Sequence, residues 1–63
     1  MKVDLTYDAE ADAAYLRLSP GKVAQSEEVA PGVVFDLGED GKVVGVEWLR
    51  ASGKLEIEAL VAA

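Results

Sequence analysis

The stretch "DLGEDGKVVGVE", Asp36 to Glu47, supports two incompatible readings, and the choice between them decides the fold. Spaced as a calcium loop, it puts Asp36 at the first position, Asp40 at the fifth, Gly41 at the sixth and Glu47 at the twelfth. The third position of such a loop needs an oxygen ligand, and here it is Gly38, which has no side chain. An EF-hand also needs a helix on each side. The entering "APGVVF" (residues 30–35) carries Pro, Gly and three β-branched or aromatic residues, and the exiting "VVGVEWL" (43–49) is equally strand-like. Read as a hairpin, "GEDG" (38–41) supplies Gly and Asp-Gly where a tight connection needs positive φ. The flanks favour the hairpin, with a weak, solvent-exposed cation site as the alternative.

Outward from that turn the alternation is strand-like on both sides. Val33, Phe35 and Leu37 share one face; Val44, Val46 and Trp48 share one face of the returning strand, opposite Val43, Gly45, Glu47 and Leu49. Towards the N-terminus, "VAQSEEV" (23–29) is more polar, as an exposed or edge strand would be. "SPGK" (19–22) suits a type II turn with Gly21 at positive φ. Before it, Ala14, Leu16 and Leu18 alternate with Ala13, Tyr15 and Arg17, and Val3, Leu5 and Tyr7 alternate with Lys2, Asp4 and Thr6. "DAEAD" (8–12) between them predicts a turn in which Asp8 or Asp12 accepts hydrogen bonds from nearby backbone N–H groups. The tail "RASGKLEIEALVAA" (50–63) fits either alternation or a short helix capped by Ser52 and carrying Leu55, Ala59 and Leu60; the helix is the reading adopted. The expected fold is therefore α+β, a single small domain over residues 1–63: an antiparallel β-meander of four or five strands with a short C-terminal helix, all-β being the alternative.

Composition narrows the functional classes. A chain of 63 residues buries only about 60% of the surface its unfolded form exposes, and it commonly needs a disulfide, a metal or a partner subunit. Cys and His are both absent, which removes disulfides and the soft ligands of a structural zinc. Oligomerisation, as a dimer or larger, is the remaining aid. The net charge of −6, with no basic cluster, argues against direct nucleic-acid binding and would steer a basic protein partner inward. No segment approaches the ~20 apolar residues that cross a bilayer, and the N-terminus lacks the apolar core of a signal peptide, so the chain reads as cytoplasmic with no membrane role.

Candidate chemistry is sparse. Asp8, Glu10 and Asp12 could offer carboxylates to a hard cation such as magnesium, although acidic residues around one turn more often form a polar tip. Ser19, Ser26 and Ser52 have no His or Cys to form a nucleophile and base pair. Raising a carboxyl pKa for acid–base work needs an apolar pocket that so small a sheet has little volume to enclose. No catalytic residue, cofactor or firm metal site is expected. Trp48 reads as core. Tyr15, beside Arg17 on the opposite face, could instead join a surface buried by a partner subunit, with Val43 and Leu49 adding apolar area there.

Tyr7, Asp8, Glu10, Asp12 and Tyr15 in the first hairpin, Glu28 and Val29 before the break, and Asp36, Asp40, Gly41, Gly45, Glu47, Ala51 and Ser52 around the second make a recognisable set. In their setting, "YDAEADAAYLRLS" (7–19) and "SEEVAPGVVFDLGEDGKVVGVEWLRAS" (26–52), they closely resemble the Domain of Unknown Function 2283 family of small bacterial and archaeal proteins. The resemblance covers nearly the whole chain. It implies short standalone proteins, some encoded beside small ribonuclease-like toxins, and hence an antitoxin-like role. Strand addition and charge complementarity would let an acidic protein cover a basic toxin. The DNA-binding segment of many antitoxins is missing, while the end "ALVAA" (59–63) fits either a protease-read tail or a docked terminus. The function expected is thus a non-catalytic, homo-oligomeric protein-interaction module, antitoxin-like in its sharpest form. The alternative is a small-ligand or cation-binding module using the acidic turns.

Overall fold

The computed structural model describes residues 3–58. Five strands follow one another in the chain: β1 (Asp4–Asp8), β2 (Ala13–Arg17), β3 (Gln25–Ala30), β4 (Val33–Leu37) and β5 (Val43–Leu49). They form one antiparallel sheet in the order β1-β2-β5-β4-β3. This order corrects the expected meander, because β2 pairs with β5 and not with β3. β5 is the longest strand and carries Val44, Gly45 and Val46 buried, so it suits the centre, where both backbone edges are paired. The polar β3, exposed at every residue, takes one edge. β1 takes the other.

The connection over residues 18–24 is consequently a crossing and not the tight turn that "SPGK" suggested. The Leu18 and Ser19 N–H groups both donate to the Val44 carbonyl (2.9 and 3.2 Å), and the Ala24 N–H donates to Leu37 O (2.7 Å), which carries the chain past β5 and β4 to the far edge. Gly21 does not take positive φ; its N–H instead donates to Ser19 Oγ (3.1 Å). The second Pro-Gly pair makes the positive-φ turn, with Gly32 at φ 74° between β3 and β4. At the β4–β5 turn only Gly41 (φ 82°) needs that conformation, and Gly41 N–H donates to Gly38 O at 3.0 Å.

The α+β class is not supported. Among the described residues the one complete helical element is a 3-10 turn, Ala51–Gly53, with helical backbone again only at Ile57 and Glu58. Ser52 is not at a helix N-cap: it lies inside that 3-10 turn, and its N–H and hydroxyl both donate to Asp12, which fixes the chain against the β1–β2 turn. Arg50, in the left-handed conformation (φ 52°, ψ 52°), turns the chain sharply out of β5. The last part of the expected helix, residues 59–63, lies outside the described residues.

Register sorts the side chains into two unlike faces. On one, Leu5, Leu16, Val46 and Phe35 form a row straight across four strands, and Tyr7, Ala14, Trp48 and Val33 form the next. On the other lie Thr6, Tyr15, Glu47, Val34 and Glu28, then Asp4, Arg17, Gly45, Asp36 and Ser26. Trp48 and Tyr15 thus fall on opposite faces, as the alternation predicts. The buried apolar set among the described residues is small: Ala14, Val44, Val46 and Ala51. With extents of 34 × 28 × 16 Å, the protein is close to one sheet thick.

Candidate functional site

Two polar clusters gather four of the residues singled out in the sequence, Tyr15 and Asp36 in one and Tyr7 and Asp12 in the other. The first lies on the polar face. Tyr15, on β2, leans across the central strand and donates its hydroxyl to Asp36 Oδ2 on β4 at 2.8 Å. Gly45 on β5 makes this reach possible: a Cβ built there would lie 2.0 Å from the Tyr15 hydroxyl oxygen and 2.6 Å from Cζ. Ser26, on the edge strand β3, donates to Asp36 Oδ1 at 2.7 Å. Arg17 completes the cluster, donating to the Tyr15 hydroxyl at 3.5 Å and to Gly21 O at 2.8 Å. One carboxylate therefore ties β2, β4 and β3 together over the top of β5. Burial, and then the bond to Asp36, push the Tyr15 phenol above its ordinary value and hold it protonated.

The second cluster closes the end of the sheet. Asp12, in the left-handed conformation at φ 50°, accepts from the Tyr7 hydroxyl (2.8 Å) and the Ser52 N–H (3.0 Å) on Oδ1, and from the Ser52 hydroxyl (2.7 Å) on Oδ2. Its backbone carbonyl accepts from Ala51 N–H at 2.8 Å. The β1–β2 turn is thereby fastened to the chain leaving β5. Hydrogen bonds from Ser52, then from Tyr7, hold the Asp12 carboxyl below the usual aspartate range, and the same bond to Asp12 raises the Tyr7 phenol.

The remaining candidates are spent on turns or stand apart. Asp8 Oδ1 accepts from the N–H groups of Glu10 (3.0 Å) and Ala11 (3.4 Å), the turn role expected of it, while Glu10 is exposed at the tip. Glu28 Oε2 accepts from Gly32 N–H (3.1 Å), and Asp40 Oδ1 from Lys42 N–H (3.0 Å). Glu47 is half-buried in the row of Tyr15. The calcium spacing thus dissolves: Asp36 pairs with Gly45 and Glu47 with Val34, as separate positions on one face, and Asp40 belongs to the turn. Among the described residues no group of three or more carboxylates converges as a metal site. An open groove of about 450 Å³, lined by Ser19, Lys22, Glu39 and Asp40 among others, lies beside that turn.

Sequence reasoning passed over Ser26 as a partner of Asp36, and it named Arg17 only as Tyr15's neighbour. Gly45 was read only as a strand position and a family-motif residue, and Ser52 as a helix cap, a serine without a base and a family-motif residue, not as the clearance for Tyr15 and the partner of Asp12 that they are. The available signal was a carboxylate and a glycine interrupting otherwise apolar strands. That pattern marks a side chain from elsewhere reaching over the gap.

The arrangement defines a class: a single-sheet antiparallel β protein whose polar face is cross-braced by hydroxyl–carboxylate bonds. The model of the family described as "Protein of unknown function (DUF2283)" matches residues 4–52, and the chain belongs to that family. No curated protein and no solved structure gave a significant match. Among the described residues no helix is long and apolar enough to cross a membrane.

Proposed function

We propose that this chain is a non-catalytic, homo-oligomeric protein-interaction module. The observation that carries this reading is the apolar face: Leu16, Val33, Phe35 and Trp48 are half-buried and Leu5 is exposed, with no second layer of strands or helix among the described residues. Folded domains need two packed layers around a core, and a second protein chain supplies the missing one. The polar clusters fit a non-catalytic role, since their hydroxyls and carboxylates are engaged with one another and fasten strands and turns together. Sedimentation at micromolar concentration tests the oligomer. The expected mass is at least twice 6.6 kDa, and a clean monomer that still melted cooperatively would overturn it.

A basic protein partner is the second reading, favoured by β3. All six of its residues are exposed, it carries Glu27 and Glu28, and its outer backbone edge has no neighbouring strand in the sheet. Strand addition at such an edge, guided by the net charge of −6, is the form an antitoxin-like role would take. Co-purification from the host, followed by mass spectrometry, tests it. A captured basic protein that is released by salt, and is not captured by a Glu27→Lys, Glu28→Lys chain, supports the reading; recovery of this chain alone removes its basis.

A further inference from the structure

We propose that the second copy sits on the apolar face. Two sheets would pack face to face about a twofold axis, making one ten-strand β-sandwich from two chains. This rests on the homo-oligomeric reading above and adds which surface is used and what is left outside: the Tyr15–Asp36 face and the acidic edge strands point outward on both sides.

Chemistry separates the two faces. The rows built on Leu5, Leu16, Val46 and Phe35, and on Trp48 and Val33, contain no charge until Glu27, which stands at the end of a row on the edge strand. The opposite face carries Asp4, Arg17, Asp36, Glu47 and Glu28. A partner recognised by charge would use that second face or the edges. An uncharged, self-complementary surface suits an isologous contact, in which the same patch serves both copies.

Size agrees with this occupant. Five strands about 4.8 Å apart, each five to seven residues long at about 3.3 Å per residue, give a face of roughly 24 × 20 Å before side-chain relief is counted. With that relief the accessible area is on the order of 600–800 Å², close to the roughly 800 Å² per partner of a standard stable interface. The Cα radius of gyration, 11.9 Å, exceeds the about 10.6 Å expected of a compact globule of this length, as a lone sheet should. Because the sheet needs a cover whenever it is folded, the cover must be present wherever the chain is. A second copy always meets that condition.

Leu5 and Leu49 provide a matched test. They are exposed to nearly the same extent, 41% and 43%, and lie on opposite faces. Sedimentation equilibrium of the full chain, with Trp48 emission followed over the same dilution series, is expected to show a dimer whose dissociation shifts Trp48 to the red at the same midpoint. Leu5→Glu is expected to raise the dissociation constant at least about tenfold, and Leu49→Glu to change it by less than about threefold. If Leu5→Glu folds only at high concentration by circular dichroism, folding is coupled to this contact, which supports the proposal. An oligomer that survives Leu5→Glu unchanged, with no Trp48 shift on dilution, overturns the face assignment while leaving the oligomeric reading intact. Equal weakening by both substitutions overturns it as well. A wild-type monomer throughout removes both.

Discussion

Replacing Gly45 with Ala should destabilise the protein through a side chain on another strand. The backbone at Gly45 is not at positive φ, so Ala is conformationally acceptable there. In an ordinary strand the change would even help, by roughly 0.5–1 kcal/mol, since glycine loses more conformational freedom on folding. Here the new methyl would lie 2.0 Å from the Tyr15 hydroxyl oxygen. β5 is paired on both sides, so the ring must yield. Tyr15 then loses its 2.8 Å bond to Asp36, while Asp36 keeps Ser26. A hydrogen bond to a charged group contributes about 1.5–3 kcal/mol, and the half-buried setting argues for the lower part of that range. Subtracting the backbone gain leaves a net loss of about 1 kcal/mol, a fall in Tm of roughly 4–8 °C for a domain of this size. In a Tyr15→Ala background no ring remains to displace, so the same substitution should stabilise by about 0.5–1 kcal/mol. The sign reversal corresponds to a coupling of roughly 1.5–2 kcal/mol in a double-mutant cycle. Thermal and urea unfolding of the four chains, at one fixed protein concentration because association shifts apparent stability, would measure it. Destabilisation of equal size in both backgrounds would refute the account of Gly45 as clearance for Tyr15.

Further expectations follow from the second cluster and the turns. Because the Asp12 carboxyl is held below its ordinary value, the stability it confers is present above the unfolded aspartate value and is lost as pH falls through the lowered folded one. Asp12→Asn should therefore melt lower than the native chain near neutral pH, with the gap closing below about pH 4; a gap independent of pH contradicts this. Arg50→Gly, at φ 52°, should raise stability by up to about 1 kcal/mol, measured by urea unfolding, and a loss would mean that the Arg50 side chain matters more than its backbone. Millimolar calcium or magnesium should leave Tm and Trp48 fluorescence unchanged, since the Asp8 and Asp40 carboxylates accept backbone N–H bonds; a saturable shift would revive the acidic turns as a cation site.

The strands were legible because a two-residue period survives in short runs. Val33–Leu37 and Val43–Leu49 emerge where the alternation places them, and the polar "QSEEVA" becomes an exposed edge. Turn chemistry was legible only in part. Pro20–Gly21 and Pro31–Gly32 look alike locally, yet only the second turns a hairpin, because β2 finds its partner in β5 and the chain after Leu18 must cross to the other edge. The candidate site shows the same division. Asp8 could be read as a turn acceptor from its neighbours alone, whereas Asp36 finds its partners on other strands and Asp12 finds Ser52, 40 residues away, in the turn after β5.

Asp36 and Glu47, the two ends of the opening stretch, are carboxylates on strand positions of one face. For Asp36 the reason is the Tyr15 and Ser26 hydroxyls that meet on it across Gly45. By itself, the sequence determined where strands begin and which residues share a face, because those depend on backbone sterics and a period of two. Strand order, and with it the partners of each carboxylate, were decided only in the tertiary structure. Ladder hydrogen bonds are chemically identical along every strand, so the choice of neighbour falls to side chains far apart in the chain.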